Sequence, residues 1–271
     1  MINLPNIPKE SFLIIDSSFI PYVVCNPNKV KDEWGEPIKL DGKYVYDDSK
    51  TVEDVYAHID NIFMSIFINL NTNMYLGFID VGAKNNYRLQ INPEYKANRK
   101  FKEKPKFNDE AKEYMIEHWG IITVTGLESD DVCNICKHHY PNSTLVSPDK
   151  DLYNIEGNCY NPTTNTYITN TLASERRFFA TQMIVGDTAD NVKGLKGKGD
   201  KFAKEFLNKF TEDDFRNNIV LGEIFKLYIE QYGQHMGIAE FNKNYGCLYI
   251  LREPSEVPNH IELTIPEPII V

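Results

Sequence analysis

Apolar residues along this chain fall into two rhythms. Unbroken short runs, FLIID (12–16), MYLGFID (74–80), IITVT (121–125) and STLVS (143–147), predict buried parallel strands, because a strand covered on both faces loses the polar–apolar alternation. Between them the apolar positions take a helical spacing. Thr51 opens TVEDVYAHIDNIFMSIFINL, in which Val55, Ile59, Ile62, Phe63, Ile66 and Phe67 make one apolar stripe, and Asn108 opens NDEAKEYMIEHWG, closed by Gly120. Strands alternating with helices predict an α/β fold with a mostly parallel central sheet flanked by helices. CYNPTTNTYIT (159–169) predicts a hairpin turning at Pro162 to Asn165 on an antiparallel edge. From about residue 173 the pattern is mainly helical. The expected division is an α/β core over 1–172 and a helical part over 173–271, with the polar stretch 26–50 an insertion without an assigned role.

Composition narrows the class. At 271 residues and 31.3 kDa, with 42% hydrophobic and 25% charged residues, the chain suits one large core. No apolar run approaches the length of a membrane span, and the start has no basic region followed by an apolar stretch and a cleavage site. A soluble, cytoplasmic protein with no membrane partner is expected. Five cysteines, at 25, 133, 136, 159 and 247, do not form a secreted disulfide framework. Cys133 and Cys136 make a single CxxC, whereas a zinc site normally needs a second pair, so VCNICKHH reads as a helix with two small buried thiols.

Net charge of −10 argues against a nucleic-acid partner, and its distribution argues for one. Between Lys84 and Lys106 stand eight basic residues (Lys84, Arg88, Lys96, Arg99, Lys100, Lys102, Lys104, Lys106) against Glu94 and Glu103. Between Asn191 and Lys209 stand six lysines against Asp200 and Glu205.

Acids gather where the predicted strands end. Asp16, Asp80, Glu128, Asp130, Asp131, Asp149, Asp151, Asp187 and Asp190 all fall at or just after those ends, the edge at which parallel sheets bind ligands. Glu128 and Asp131 share a face if a helix begins there. Asp149 and Asp151 share one if the strand runs on, and Asp187 and Asp190 repeat the three-residue spacing at an expected helix start. So many carboxylates on one rim repel unless cations neutralise them, and hard oxygen donors suit Mg²⁺ or Mn²⁺ rather than zinc. Two such ions about 3.5–4 Å apart activate water and stabilise the leaving oxygen of a phosphodiester. Any one of these acids alone is more often a cap or a loop residue.

GDTADNVKGLKGKGDKFAKEFLNKF places Gly194, Gly197 and Gly199 in a loop opening a helix, among Lys193, Lys196, Lys198, Lys201 and Lys204. Backbone N–H groups freed by glycine, a helix N-terminus and lysines together suit a DNA backbone. Gly194 and Gly199 match the spacing of a nucleotide-binding loop, but Asp200 and Lys201 occupy the positions of its Lys and Ser/Thr, which excludes an NTPase. A dinucleotide fingerprint fails as well, since only Gly197 and Gly199 fit it.

Taken together, IIDSS, FID, YRLQINPEYKANR, ESDD, SPDKDLYN and GDTADNVKGLKGKGDKFA resemble, in this order over residues 12–209, the 5′ nuclease superfamily of flap endonucleases and bacteriophage 5′ exonucleases of the phage ribonuclease H type. The resemblance implies a 5′→3′ exonuclease and flap endonuclease. Asp16, Asp80, Glu128, Asp130 and Asp131 would surround one Mg²⁺, and Asp149, Asp151, Asp187 and Asp190 a second, with Mn²⁺ as a substitute. A helical arch at about 84–107 would bring Lys96 and Arg99 to the scissile phosphate, with Arg88 nearby and Tyr95 free to stack on a base. The turn at 186–209 would be the family's helix–three-turn–helix, gripping DNA through Lys193, Gly194, Gly197, Lys198, Gly199, Lys201 and Lys204 and, in some members, holding K⁺. Partners implied are DNA with a 5′ end, flap or nick, RNA/DNA hybrid at primers and replication proteins, for a monomer in a bacterial or phage-infected cell. Asp200 inside the turn and the insertion at 26–50 depart from the family pattern.

Two other classes compete. A non-catalytic module binding branched DNA would not need the full acid set. A PIN-type ribonuclease shares the acids but not the lysine-rich glycine turn, and a haloacid-dehalogenase phosphatase needs a DxD where Asp16 is followed by Ser17 and Ser18.

Overall fold

Leu13, Ile14 and Ile15 are all fully buried, so the strand they begin lies inside the sheet with both faces covered. The computed structural model describes residues 12–47, 49–81, 85–99 and 104–271. Its main sheet has seven strands: β1 (Leu13–Asp16), β2 (Met74–Asp80), β3 (Ile122–Val124), β4 (Thr144–Val146), β5 (Gly157–Asn161), β6 (Thr166–Asn170) and β7 (Ile269–Ile270). Their order is β6–β5–β4–β1–β2–β7, with β3 beside the carboxyl half of β2. The first five strands run parallel, and β6 and β7 are antiparallel edges, β6 closing the expected hairpin. Asp16 pairs in register with Phe78, and Asp80 with Val124, so β1, β2 and β4 end along one edge.

Helices cover both faces. On one lie α1 (Ile20–Cys25), α2 (Val52–Leu70) and α4 (Asn108–Trp119), whose apolar residues pack on Leu13, Ile15, Tyr75 and Ile79. Thr51 and Asp54 cap α2 reciprocally, an arrangement worth about 1 kcal/mol, and Gly120 ends α4 in the left-handed conformation. Phe107, not Asn108, is the N-cap of α4, and Asn108 is the first helical residue. The other face carries α5 (Ser129–His139), with Cys133 and Cys136 buried among Ile14, Phe78 and Leu145. Burial pushes the Cys136 thiol up to about 12, in keeping with two packing thiols rather than metal ligands. Two short helices border the carboxyl edge, α3 (Arg88–Ile91) and α6 (Lys150–Tyr153). A third apolar cluster joins α7 (Leu172–Val185), α8 (Asp200–Leu207), α9 (Glu212–Arg216), α10 (Ile219–Tyr232) and α11 (Gln234–Leu248).

Three local expectations change. The strand before Asp149 stops at Val146, so Asp149 and Asp151 lie not on a strand but on α6, which Asp149 caps by accepting from the Asp151 N–H. Asp187 and Asp190 do not start a helix: Gly186–Asp187 and Val192–Lys193 form a two-residue antiparallel ribbon with Asp190 in its turn. Over the expected arch, the described residues hold only α3 and a 3₁₀ turn at Ala97–Arg99, while Lys84, Lys100, Lys102 and Glu103 lie outside the described residues. The insertion at 26–50 folds into two small ribbons, Asn28–Lys29 with Tyr46–Asp47 and Lys39–Leu40 with Lys43–Tyr44. No helix among the described residues is long and apolar enough to cross a membrane.

Candidate active site

Asp16 ends β1, Asp80 ends β2, and Glu128 is the N-cap of α5, with Ser129 and Asp130 in its first turn. Ser129 ties them together. Its N–H donates to Asp80 Oδ1 at 2.5 Å, and its hydroxyl donates to Asp16 Oδ1 at 3.0 Å and lies 3.5 Å from Asp130 Oδ1. The other Asp16 oxygen accepts from Ser147 Oγ at 3.1 Å. Burial drives the Asp16 carboxyl above the ordinary range, with Asp149 adding to the rise. Burial followed by the Glu128 charge pushes Asp80 up to about 6. Asp130 is raised as well, by burial and then by Asp16, Glu128 and Asp149.

The second group stands on turns. Asp149 is exposed at the start of α6, and Asp151 Oδ1 accepts from Gln182 Nε2 on α7 at 2.9 Å. Burial, then Asp149, raises Asp151 to about 7. Asp187 is buried, yet its carboxyl is held below the usual range because Lys150 Nζ and the Ala189 N–H outweigh burial, at 2.7 Å each. Burial raises Asp190 against the opposing pull of Lys96. Mutual charge effects link the eight acids other than Asp131 into one cluster.

Asp131 does not join them. Its carboxylate is fully buried and accepts two parallel bonds from Arg88, at 2.6 and 2.7 Å, and further bonds from the Glu128 and Leu251 N–H groups. Those four donors saturate its lone pairs. Arg88, 1% exposed, also donates to the Cys247 and Tyr249 carbonyls, so it clamps α3 and α5 to the end of α11 and does not face an incoming phosphate. Tyr95 departs from expectation too. It is buried, and its hydroxyl lies 2.9 Å from Glu128 and 3.0 Å from Asp190, so it bridges the two acidic groups instead of offering a ring to a base.

Lys96 and Arg99 do reach the cluster. Lys96, in the left-handed conformation at φ 54°, places Nζ 2.5 Å from Glu128 and 3.7 Å from Asp190, and Arg99 pairs with Asp190 at 2.7 Å. Burial alone would lower the Lys96 pKa, but Glu128, Asp190 and Asp130 outweigh it and hold the ammonium charged. Arg88 first and Lys96 next keep Glu128 below the usual range despite its burial.

The glycine- and lysine-rich turn follows the ribbon, and α8 opens at Asp200 with Gly199 as N-cap. Gly197 has φ 76° and open space around it, as a backbone meant to approach a ligand requires. Gly194 serves packing instead: a Cβ there would lie 2.3 Å from the Ile184 carbonyl and from Val185, where the turn crosses the end of α7. Lys193, Lys201 and Lys204 are exposed, whereas Lys198 lies over the Phe202 ring at 4.0 Å.

No family model matches the chain, and no curated protein does. Solved structures match it. A mutant T5 5′-exonuclease superposes with TM-score 0.54 over 90% of this chain and 89% of its own, at 17% identity. T5 5′-exonuclease with zinc bound gives 0.55 over 88% and 100%, at 17% identity. The bacteriophage T5 D15 flap endonuclease, in a complex with DNA and metal ions, gives 0.52 over 88% and 99%, at 18% identity. The chain has the fold of T5 5′-exonuclease.

On that T5 5′-exonuclease fold the donor set is of the chemical type that suits hard divalent cations: carboxylates gathered at one sheet edge, several of them raised by burial and mutual repulsion, although no three of their oxygens lie within 4.8 Å of one another among the described residues. Four residues of the site were not singled out from the sequence. Ser129, Ser147 and Lys150 sit inside ESDD and SPDKD, where the acids drew the attention, and Gln182 has no local signal at all. The one group among the described residues whose three ligand atoms do lie within 4.8 Å of one another is His138 with Glu156 and Glu175, and there both carboxylates are paired to Arg252 at 2.9 Å.

Proposed function

We propose that this chain is a divalent-metal-dependent 5′ nuclease that hydrolyses phosphodiester bonds near the 5′ ends of DNA, as 5′→3′ exonuclease and flap endonuclease, and acts on RNA primers paired to DNA. The observation that carries the reading is the crowding of eight carboxylates at one sheet edge beside Lys96 and Arg99. Asp16, Asp80, Glu128 and Asp130 would hold one Mg²⁺ or Mn²⁺, and Asp149, Asp151, Asp187 and Asp190 the second. Such ions supply a nucleophilic water and stabilise charge on the leaving oxygen.

The chain's own groups do the rest. Lys96 and Arg99 supply the cationic contact to phosphate oxygens, where charge grows in the transition state. Ser129 and Ser147 fix the Asp16 carboxylate, and Gln182 fixes Asp151. Lys193, Lys201, Lys204 and the open backbone at Gly197 would grip the duplex behind the cut, and a K⁺ held by that turn belongs to the same reading.

Cleavage of a nicked and of a 5′-flapped duplex, labelled at both ends of the flap strand, tests it with Mg²⁺, with Mn²⁺ and with EDTA. Metal-dependent release of short 5′ products is expected, and product length separates trimming from flap removal. Tight binding of the flap with no cleavage in either metal would overturn the proposal in favour of a DNA-binding module.

A further inference from the structure

The insertion at 26–50 sorts its charges by face. Its two ribbons are joined by a bridge between Lys31 and Pro37, and the backbone of Val30, Ile38 and Val45 closes a ring of hydrogen bonds. The Val30 N–H donates to Val45, the Val45 N–H to Ile38 and the Ile38 N–H to Val30, at 2.9, 3.0 and 2.9 Å. Residues directly opposite in an antiparallel pair share a face, and so do alternate residues along a strand. Lys29 stands opposite Tyr46, Lys31 opposite Pro37 and Lys39 opposite Tyr44, so all six lie on one face. Lys29 and Lys39 bear this out by lying 3.8 and 4.6 Å from the Tyr44 ring centroid. Val30, Ile38 and Val45 alternate onto the other face and are half-buried, whereas every lysine and tyrosine of the first face is exposed.

The acids of the insertion stand elsewhere. Asp32, Glu33 and Glu36 surround the tip at Trp34, where Asp32 Oδ1 accepts from the Trp34 and Glu36 N–H groups, and Asp41 lies in the second tip. Asp47 alternates with Tyr46 onto the opposite face. Among the described residues none of Lys29, Lys31 and Lys39 pairs with a carboxylate. The result is a face of three ammoniums, two of them pinned against a ring, beside the Tyr46 ring, which is 50% exposed.

We propose that this face binds single-stranded nucleic acid, with Tyr46 stacking on a base and Lys29, Lys31 and Lys39 contacting phosphates. A single strand offers unstacked bases together with dense negative charge; a duplex hides its base faces, and an acidic peptide has none. The site lies on the side of the acid cluster. α2 carries the chain from the insertion back to the start of β2, which runs parallel to β1, so the insertion ends on the side of the carboxyl edge. Lys50 fastens it there, donating to the Val24 and Asn26 carbonyls at 2.8 and 2.7 Å. Binding at this face needs no cleavage and does not depend on the nuclease reading.

Fluorescein-labelled oligothymidylate, titrated in EDTA over a range of salt concentrations and read by anisotropy, tests the face. Lys29→Gln/Lys39→Gln should weaken binding on the order of tenfold and reduce the slope of log affinity against log salt by about 1.4, the share of two phosphate contacts on a single strand. Tyr46→Ser should weaken it at least about fivefold, leave the salt slope unchanged and leave affinity for a blunt duplex as it was. Lys43→Gln, opposite Leu40 and off this face, should change nothing. Thermal melts establish that each variant is folded. Should the variants fail to fold, photocrosslinking of a bromodeoxyuridine oligonucleotide to the natural protein decides the matter: adducts at Tyr44 or Tyr46 support the face, and their absence overturns it. Natural affinity and slope in the folded double lysine variant would also overturn it. So would an equal loss of duplex binding in Tyr46→Ser, which would mean a patch that reads no bases, or displacement of the oligonucleotide by poly-glutamate as readily as by unlabelled oligothymidylate, which would mean a face for acidic peptides.

Discussion

The two acidic groups that face each other across Tyr95 are built from different material. Asp16 and Asp80 terminate adjacent parallel strands, and Glu128 and Asp130 stand at the start of a helix whose first residue, Ser129, hydrogen-bonds to both strand ends. Asp149 caps a four-residue helix, while Asp187 and Asp190 sit on a two-residue ribbon and its turn. Strand register over long-range contacts positions the first group. The second depends on local turns and on the Gly194 turn passing close against α7, elements that open at lower free energy. Under the proposed two-ion reading, the first group would be the better preorganised cation site, and the second the one whose occupancy responds to substrate and metal concentration.

That ranking breaks most sharply at Asp130. A bound divalent cation is worth several kcal/mol to the transition state, so Asp130→Asn should lower flap cleavage about 10³-fold, with duplex affinity unchanged. Steady-state cleavage and fluorescence anisotropy measure the two quantities. A loss smaller than that of Asp149→Asn would reverse the ranking. Asp131 marks the boundary of the first group. Replacing Arg88 with Met leaves the Asp131 charge buried and unpaired, and urea denaturation should show about 3–5 kcal/mol lost. The double variant Arg88→Met/Asp131→Leu should recover much of it, because it removes the orphaned charge as well. A loss below about 1 kcal/mol in Arg88→Met would return Asp131 to the list of candidate ligands.

Why the sequence is a good guide to one group and a poorer guide to the other has a physical basis. Buried parallel strands leave continuous apolar runs, so Asp16 and Asp80 can be placed at strand ends from LIID and GFID alone. Glu128, in a cap-and-acid pattern, can likewise be placed at a helix start. Asp187 and Asp190 have the spacing of a helix turn, but the residues around them carry no apolar periodicity, and a tertiary ribbon overrides the local pattern. Spacing also cannot tell an acid that faces a ligand from one that pairs inward. Asp131 and Asp130 are adjacent in sequence and face opposite ways because Arg88, 43 positions away, arrives on α3 to claim one of them. Tyr95 is misjudged from the sequence for the same reason, since its burial depends on helices α7 to α11, far along the chain.

Ser129 offers a smaller perturbation of the first group. Ser129→Ala keeps the N–H bond to Asp80 and removes the hydroxyl that orients Asp16, an outer contact of the kind that costs about 10–100-fold in metal affinity. The half-saturating Mg²⁺ concentration for cleavage should rise by that factor while the rate at saturating Mg²⁺ changes little. If the saturated rate falls and the metal requirement stays put, Ser129 acts on the chemistry and the first group is not held by it.

The smallest effect is on stability against pH, and it reads both groups at once. In the metal-free protein Asp80 titrates near 6 and Asp151 near 7, with Asp16, Asp130 and Asp190 also raised, whereas the same carboxyls in the unfolded chain titrate at about 3.9. Between about pH 4 and 7 the folded state therefore holds protons that the unfolded state has released, and stability falls as pH rises through that window. Glu128 and Asp187 are depressed by their cationic neighbours, so their contribution is lost only as pH falls below about 4 and stays constant across the window. His58, exposed on α2 and lowered by partial desolvation and then by Lys50, works weakly in the opposite sense below about pH 6.5, and His58→Gln removes that small opposing slope. Melting temperatures in EDTA should decline from pH 5 to pH 7.5, and more steeply in His58→Gln, at most by a few degrees. Added Mg²⁺, bound by the deprotonated acids under the proposed reading, should flatten or invert the slope. With Asp80→Asn the decline should shrink and the Mg²⁺ response weaken, whereas Asp151→Asn should reduce the decline at its upper end, near pH 7, and leave most of the Mg²⁺ response. A metal-free protein whose melting temperature rises steadily through this range would mean that the acids are ionised without cations, and that neither group is strained towards metal binding.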